Sequence, residues 1–141
     1  MMVHRDNFKK FLQEKHNWYK NIGLVYCPVL KENIIFNAKG FYHLRYHSSN
    51  KERTVAEQIY KINLLPLVIP VIKKAKDIFE YKSGLYSQKL GKKFELWELR
   101  GVSGRRHPTI VSVVLRRIGT GNITFLSVYD HRIKTKKPSQ G

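Results

Sequence analysis

The fold is decided by one stretch of sequence, Thr109 to Arg132, which runs TIVSVVLRRIGTGNITFLSVYDHR. Both of its halves are rich in β-branched residues, which favour strands. The segment between them, Gly119 to Asn122, has the composition of a turn. The sequence therefore predicts two strands, Thr109 to Arg117 and Ile123 to Arg132, that pair as a hairpin.

The alternation of residue types divides this hairpin between a buried face and an open face. The face expected to pack against helices carries Val111, Val113, Leu115, Leu126 and Val128. The open face is expected to carry Arg116, Ser127, Tyr129 and His131. Arg116 and Arg117 are neighbours and lie on opposite faces, so at most one of them belongs to a site on the open face.

The chain before this hairpin is expected to alternate helices with short strands. Apolar residues at helical spacing predict a helix at about residues 5–20. Thr54 opens a second helix, with Glu57 completing a capping box. Pro66 fits the first turn of a third helix, which Pro70 should shorten or kink. The remaining predicted strands are Leu24 to Val29, Asn33 to Phe36, Phe41 to His47 and Phe94 to Val102.

These elements predict an α+β fold, with the N-terminal and middle helices packed on one face of a small antiparallel sheet. With 141 residues, the chain is expected to form one domain over residues 1–133. A basic tail over residues 134–141 is expected to be disordered.

The stretch Phe41 to His47 concentrates groups that act on phosphates. Read as a strand, it turns His43, Arg45 and His47 to one face. Imidazole moves protons near neutral pH, and guanidinium binds phosphate. We expect a hairpin from Ile34 to His47 that joins the sheet and adds this face to its groove. The alternative is that both histidines are solvated residues at a strand edge. A strand holds them about 13 Å apart, which is too far to share a metal ion.

The charge of the chain indicates a polyanionic partner. Lys and Arg number 27 against 10 Asp and Glu, which gives a net charge of +17. RNA is the partner that we expect first, with an acidic protein or an anionic membrane surface as alternatives. The longest apolar run, Leu64 to Ile72, has nine residues and two prolines. A bilayer span needs about 20 residues, so this run is expected in the core.

Several enzyme classes lack their residues in this sequence. Cys27 is the only cysteine, so no disulfide and no thiolate zinc site is expected. Together with the lack of a signal-peptide pattern, this indicates a cytoplasmic setting. The acidic residues are scattered, whereas a two-metal nuclease needs convergent carboxylates. The turn at Gly119 to Asn122 lacks the lysine of a P-loop. The sequence predicts neither a metal nor a cofactor.

The histidine, arginine and hydroxyl groups suit RNA cleavage without a metal. A base takes the proton of the ribose 2′-hydroxyl, the oxygen attacks the adjacent phosphate, and cations stabilise the developing charge. The products carry a 2′,3′-cyclic phosphate and a 5′-hydroxyl. From their residue types and faces, this chemistry is assigned to His43, Arg45, Arg116, Ser127, Tyr129 and His131. Further RNA contacts are expected from His47, Arg53, Arg105, Arg106, Arg117, Arg132 and Lys134.

Three segments resemble the phage and plasmid members of the barnase–EndoU–colicin–RelE-like nuclease superfamily. They are Cys27-Pro28 with the strand and Gly40-Phe41-Tyr42-His43 that follow, the helix from Arg53 to Leu65-Pro66, and Ile110 to Val128 with its glycine turn. Together they span residues 24 to 131. The resemblance implies a small sheet packed against helices and a metal-independent ribonuclease with a toxin-like or mobile-element role.

By position, the resemblance implies that His43 is catalytic, that Arg116 clamps the phosphate, and that Ser127 and Thr124 supply hydroxyl groups. A regular strand turns Thr124 and Ser127 to opposite faces, so a bulge is implied unless one of them is not a member. The implied partners are RNA (tRNA or mRNA) and an acidic antitoxin or immunity protein. Two other functions fit the charge, a non-catalytic RNA- or DNA-binding module and a basic inhibitor of an acidic host protein.

Overall fold

The computed structural model describes residues 5–103 and 108–132. Within them, the helices are α1 (Arg5–Lys20), α2 (Ala38–Arg45), α3 (Val55–Ile62) and α4 (Leu65–Lys74). The strands are β1 (Leu24–Cys27), β2 (Glu32–Ile35), β3 (Glu80–Ser87), β4 (Lys92–Ser103), β5 (Thr109–Ile118) and β6 (Ile123–Arg132). The predicted tail, residues 134–141, lies outside the described residues.

The strands form one sheet in the order β1-β2-β6-β5-β4-β3. Neighbouring strands are antiparallel except β2 and β6, which run parallel. Helices pack against this sheet, so the predicted α+β class is confirmed. The hairpin of β5 and β6 is also confirmed, and its strands begin and end within one residue of the prediction.

The sequence did not predict β3. Its residues are mostly exposed, because β3 is an edge strand. Gly84, with a φ of 68°, interrupts the strand, and the pairing with β4 shifts between Lys82 and Leu85. The stretch therefore lacks the period-two alternation by which the other strands were recognised.

One face of the sheet forms the core. Val111, Val113 and Leu115 are fully buried, as predicted, and α4 covers them. Leu126, which was predicted to be buried with Val128, is only partly buried. The reason is a β-bulge in β6, which leaves Leu126 without a partner on β5.

The stretch predicted as a strand, Phe41 to His47, instead lies mostly in the helix α2, so the hairpin built on that strand is wrong. Asn37 caps the helix, because its side chain accepts a hydrogen bond from the Gly40 N–H at 3.4 Å. Phe41 and Leu44 are both buried. Their spacing of three residues is that of one helix face, a pattern that the period-two interpretation had split between two faces.

Gly40 determines how closely α2 approaches the sheet. A Cβ atom at this position would lie 2.7 Å from Phe125 Cδ2 and 2.9 Å from the Phe125 carbonyl oxygen. It would also collide with the Tyr19 hydroxyl. The absence of a side chain therefore lets α2 lie directly against β6.

We expect Gly40→Ala to lower the free energy of unfolding by about 1–3 kcal/mol, the usual cost of overpacking. The direction of this stability change is informative, because in a helix free of contacts alanine is more favourable than glycine by nearly 1 kcal/mol. Urea unfolding measures the difference, with Lys39→Ala at the neighbouring exposed position as the control. A Gly40→Ala protein as stable as the wild type would contradict this packing.

The helices α3 and α4 begin where the sequence predicts. The Thr54 hydroxyl accepts a hydrogen bond from the Glu57 N–H at 3.2 Å, which caps α3. Pro66 lies in the first turn of α4. The helix continues through Pro70 to Lys74, so Pro70 does not shorten it.

Among the described residues, the stretch Val55–Lys74 is long and apolar enough to cross a membrane by length and composition. In the structure, its apolar side contributes Ile62, Leu65, Val68 and Ile72 to the core, each at most 1% exposed. This is the packing of a core helix pair, as was predicted for the apolar run from Leu64 to Ile72.

Candidate active site

The bulge in β6 brings two hydroxyl groups to one face of the sheet. Thr124 pairs with Arg116, and Ser127 pairs with Val114. The register shifts between these pairs, so Thr124 and Ser127 both lie on the open face with Arg116. A regular strand would have turned these two hydroxyl groups to opposite faces, and the bulge is the reason that they share one.

The helix α2 places His43 close to Arg116. Burial is the main cause that lowers the pKa of His43 below its ordinary value of 6.5, and the charge of Arg116 is the second. Lys39, Arg53 and Lys89 lower it further. These cations come from α2, β5, the segment before α3 and the turn between β3 and β4. The fold thus gathers positive charge around one imidazole.

Among residues 5–103 and 108–132, no carboxylate forms an ion pair with Arg116. Burial lowers the pKa of its guanidinium, and its Nε is buried without a hydrogen-bond acceptor among the described residues. An unpaired buried donor on a charged group costs stability, so an incoming anion would gain by pairing with it.

Two of the cations around His43, Lys39 and Arg116, also line a cleft of about 280 Å³, of which His43 itself is not a lining residue. Its polar lining comprises Asn37, Lys39, Arg116, Asn122 and Thr124. The remaining walls come from Ile35, Ile118 and Gly121. Two cations and a hydroxyl group therefore face a space of the size that one phosphate and part of its nucleotide need. We call His43, Lys39, Arg116 and Thr124 the His43 cluster.

Arg45 and His47 do not join the His43 cluster, contrary to the prediction. Arg45 follows His43 by two residues, and two such residues of a helix lie on nearly opposite sides of it. The Arg45 Nε donates a hydrogen bond to Gln58 Oε1 at 3.0 Å. His47 lies beyond the end of α2 and is 3.7 Å from a Glu57 carboxylate oxygen. Both side chains are engaged with the region around α3 and stabilise the connection between α2 and α3.

Tyr129 and His131 lie on the open face, as predicted, but they belong to a second network. Tyr129 Oη donates to Glu98 Oε1 at 2.8 Å, and Arg100 Nε donates to the other oxygen at 2.6 Å. His131 Nε2 is 3.4 Å from Ser112 Oγ. Ser112 precedes Arg116 by four residues of β5, which is about 13 Å along the strand.

The carboxylate of Glu98 is held ionised. Its partial burial raises the pKa, but hydrogen bonds from Tyr129 and Arg100 outweigh burial, and the net pKa lies below the ordinary value. This carboxylate neutralises the charge of Arg100. Because both of its oxygens accept hydrogen bonds, Glu98 is a weak base for proton transfer. We therefore treat this network as support for the open face rather than as part of the His43 cluster.

Apart from His47, which lies beside Glu57, the predicted RNA contacts divide into three groups. Arg53 lies near His43, because its Nε donates to the His43 carbonyl oxygen at 3.3 Å. Arg117 lies on the other side of β5, where it pairs with Glu32 and Glu95. Outside the described residues lie Arg105, Arg106, Lys134 and the side chain of Arg132.

Sequence reasoning missed Lys39 and Lys89. Lys39 precedes His43 by four residues, so a helical interpretation of this stretch would have placed both on one face. Lys89 had no comparable signal, because it reaches His43 through a turn between two strands of which one was not predicted.

Acidic metal ligands do not converge in this region. Among residues 5–103 and 108–132, no group of three or more His, Cys, Asp and Glu side chains is arranged to hold a metal ion. What the arrangement offers is positive charge, an imidazole and hydroxyl groups, which are groups that can bind and act on a phosphodiester.

Comparisons of the chain with models of protein families, with curated proteins and with solved structures gave no match. Function is therefore inferred from the chain's own residues.

Proposed function

We propose that this chain is an endoribonuclease that cleaves RNA through its 2′-hydroxyl, without a metal ion, and that the His43 cluster is its active site. One observation carries the proposal: His43 lies partly buried among cationic side chains from four segments of the fold. Such a cluster repels itself until an anion enters. A phosphodiester fits best, because the cleft also holds the Thr124 hydroxyl, which donates to the Arg116 carbonyl oxygen at 3.3 Å and can turn to a phosphate oxygen when RNA binds.

His43 supplies the base. Burial and the neighbouring cations lower the pKa of its imidazole below the ordinary value, so the ring is neutral at pH 7. A neutral ring nitrogen can accept the proton of the ribose 2′-hydroxyl. The bound phosphate then favours the transfer, because its negative charge stabilises the imidazolium that forms.

Arg116 supplies the phosphate contact. Its unpaired Nε and the rest of its guanidinium donate to the non-bridging oxygens, which gain charge as the 2′-oxygen attacks. Lys39 adds a second positive charge at the same cleft. The cations also stabilise the leaving 5′-oxygen until it takes a proton from solvent. The products are a 2′,3′-cyclic phosphate and a 5′-hydroxyl.

The residues of this cluster overlap with those that the superfamily resemblance implied. His43, Arg116 and Thr124 recur, and the bulge explains how Ser127 shares their face. We therefore also propose that the chain is a member of the barnase–EndoU–colicin–RelE-like superfamily. The net charge of +17 supplies a long-range attraction for RNA.

The direct test is to incubate the purified protein with tRNA and with an mRNA in the presence of EDTA. We expect discrete fragments that end in 2′,3′-cyclic phosphate. A matched RNA with 2′-deoxyribose at the mapped cleavage site should remain intact, because it lacks the nucleophile. If the ordinary RNA stays intact and shifts on a gel, the chain is a binding module and the proposed activity is wrong.

The pH dependence follows from the lowered pKa of His43. Activity requires the neutral base, so kcat/KM is expected to rise with pH, with a midpoint below 6.5, and to level off above that midpoint. Lys39→Gln removes one of the cations that lower this pKa, so the midpoint should move upward. Rate profiles between about pH 5 and 8, together with NMR titration of the His43 ring, measure both midpoints. An unchanged midpoint in the variant would contradict the assignment of His43 as base.

A further inference from the structure

β4 has an unpaired edge at its C-terminal end. The last partner in β3 is Glu80, opposite Glu98, and the Phe79 N–H donates to the Glu98 carbonyl oxygen at 2.9 Å. β4 continues to Ser103 and remains in regular register with β5. Within the described part of the chain, no strand pairs with its other side beyond Glu98.

The direction of the free backbone groups follows from strand geometry. In an antiparallel strand, the N–H and C=O groups of one residue point to the same side, and successive residues alternate. Glu98 points toward β3, so Arg100 and Val102 point outward past the end of β3. They present two N–H and two C=O groups, which is the pattern that an added strand pairs with.

A cleft of about 490 Å³ lies along this edge. One wall is apolar and comes from the α4 side, with Leu67, Pro70 and Val71. The other lining residues are Lys74, Ala75, Lys76, Arg100, Gly101, Val102 and Ser103. The side chain of Val102 is 68% exposed. The cleft therefore combines a free strand edge, an apolar wall and two exposed lysines, whereas the Arg100 guanidinium is bonded to Glu98.

The lysines of this cleft have no acidic partner within the described residues. The ion pairs found there include neither Lys74 nor Lys76, and both side chains are exposed. The chain's own tail, residues 134–141, is basic, and a second copy of the chain also carries +17. Charge therefore disfavours both as occupants and favours an acidic one.

We propose that this cleft binds an extended acidic segment of a partner protein, which adds a strand to the sheet at the edge of β4. Its backbone pairs with Arg100 and Val102, its apolar residues contact α4, and its carboxylates face Lys74 and Lys76. RNA fits less well, because a phosphate chain would bury charge against Leu67 and Pro70.

The cleft is separate from the His43 cluster. Arg116 pairs with Leu96 on β4, and Val102 lies six residues further along, about 20 Å away. A partner held here would leave the phosphate cleft open, so the proposal does not depend on ribonuclease activity.

The test uses synthetic peptides and the full chain. The probe is a fluorescent nine-residue peptide of alternating glutamate and valine, and its counterpart has lysine in place of glutamate. We expect the acidic peptide to bind at least tenfold more tightly and to slow hydrogen exchange at the Arg100 and Val102 amides. Equal affinity for the two peptides, or no binding of the acidic one, would overturn the proposal.

Variants separate strand pairing from charge. Val102→Pro removes an N–H that faces outward and makes no bond within the sheet, so it should weaken binding about tenfold or more with little effect on folding. Lys74→Gln with Lys76→Gln should weaken binding as well, whereas Lys9→Gln with Lys10→Gln on the exposed side of α1 should not.

A second form of the probe changes the peptide and leaves the protein untouched. N-methylation of every second peptide amide removes the N–H donors along one edge of the bound strand. Two such peptides exist, one methylated at the odd-numbered amides and one at the even-numbered amides, and one of them should lose binding while the other retains it. If both peptides bind like the unmethylated parent, no strand is added. If oligouridylate, rather than the peptide, slows exchange at Arg100 and Val102, the cleft binds RNA and the proposal is wrong.

Discussion

Replacement of His43 by alanine is expected to reduce kcat/KM for RNA cleavage by about 10²- to 10⁴-fold, the usual contribution of a positioned general base. The imidazole is the one group in its cluster that can act as a base at pH 7, since Lys39 and Arg116 are protonated cations and Thr124 carries an alcohol. Without it, nothing in the cluster takes the 2′-hydroxyl proton. Initial rates on an oligoribonucleotide, measured in EDTA, give the ratio directly.

His47→Ala is the matched control. It removes a second histidine four residues away, whose side chain faces Glu57 rather than the cluster. Cleavage should change less than about threefold, the spread typical of surface substitutions of up to about 0.5 kcal/mol. Equal losses in the two variants would mean that His43 acts through folding or general charge. RNA affinity, measured with a 2′-deoxy substrate, should remain within a few-fold in both proteins.

Replacement of Arg116 by alanine is expected to lower kcat by about 10²- to 10³-fold, as loss of one preorganised oxyanion donor does. The stability of the variant should remain equal or rise, because the wild-type Nε is buried without a hydrogen-bond partner among the described residues. This combination of lost activity and retained stability distinguishes a functional role from a structural one. Single-turnover cleavage and urea unfolding measure the two quantities.

Arg117→Ala tests whether the loss of activity expected for Arg116→Ala depends on the position of the arginine. Arg117 is the next residue, carries the same charge and lies on the opposite side of β5, paired with Glu32. Its replacement should leave kcat within a few-fold and lower stability by up to about 1 kcal/mol, as loss of a partly exposed ion pair does. An Arg117→Ala protein as inactive as Arg116→Ala would show that net charge, rather than the cluster, governs cleavage.

Strands could be predicted from the sequence wherever one face of the strand is buried, because apolar and polar residues then alternate along the chain. β5 and β6 alternate around fully buried positions, and their bounds were predicted closely. β3 has no buried face and gave no signal. The parallel pairing of β2 with β6 was also beyond reach, because it joins segments almost ninety residues apart through contacts that no local pattern records.

The candidate site was predicted in part, for a physical reason. His43 and Arg116 were identified from their chemistry and from a resemblance. The residues around His43, however, were interpreted with the two-residue repeat of a strand instead of the 3.6-residue repeat of a helix. The period error added Arg45 and His47 to the site and hid Lys39. A stretch of eight residues with three buried positions is too short to establish a period, and the Asn37 cap, which favours the helix, resembles a turn.

Because of the bulge at Leu126, the side chains that lie on the open face depend on the presence of one extra residue in β6. Deleting Leu126 would restore a regular ladder, and Thr124 and Ser127 would again fall on opposite sides. A point substitution at Leu126 would leave both hydroxyl groups in place. In homologous chains, the length of this strand should therefore indicate whether the proposed catalytic groups share one face more reliably than the identity of the residue at the bulge.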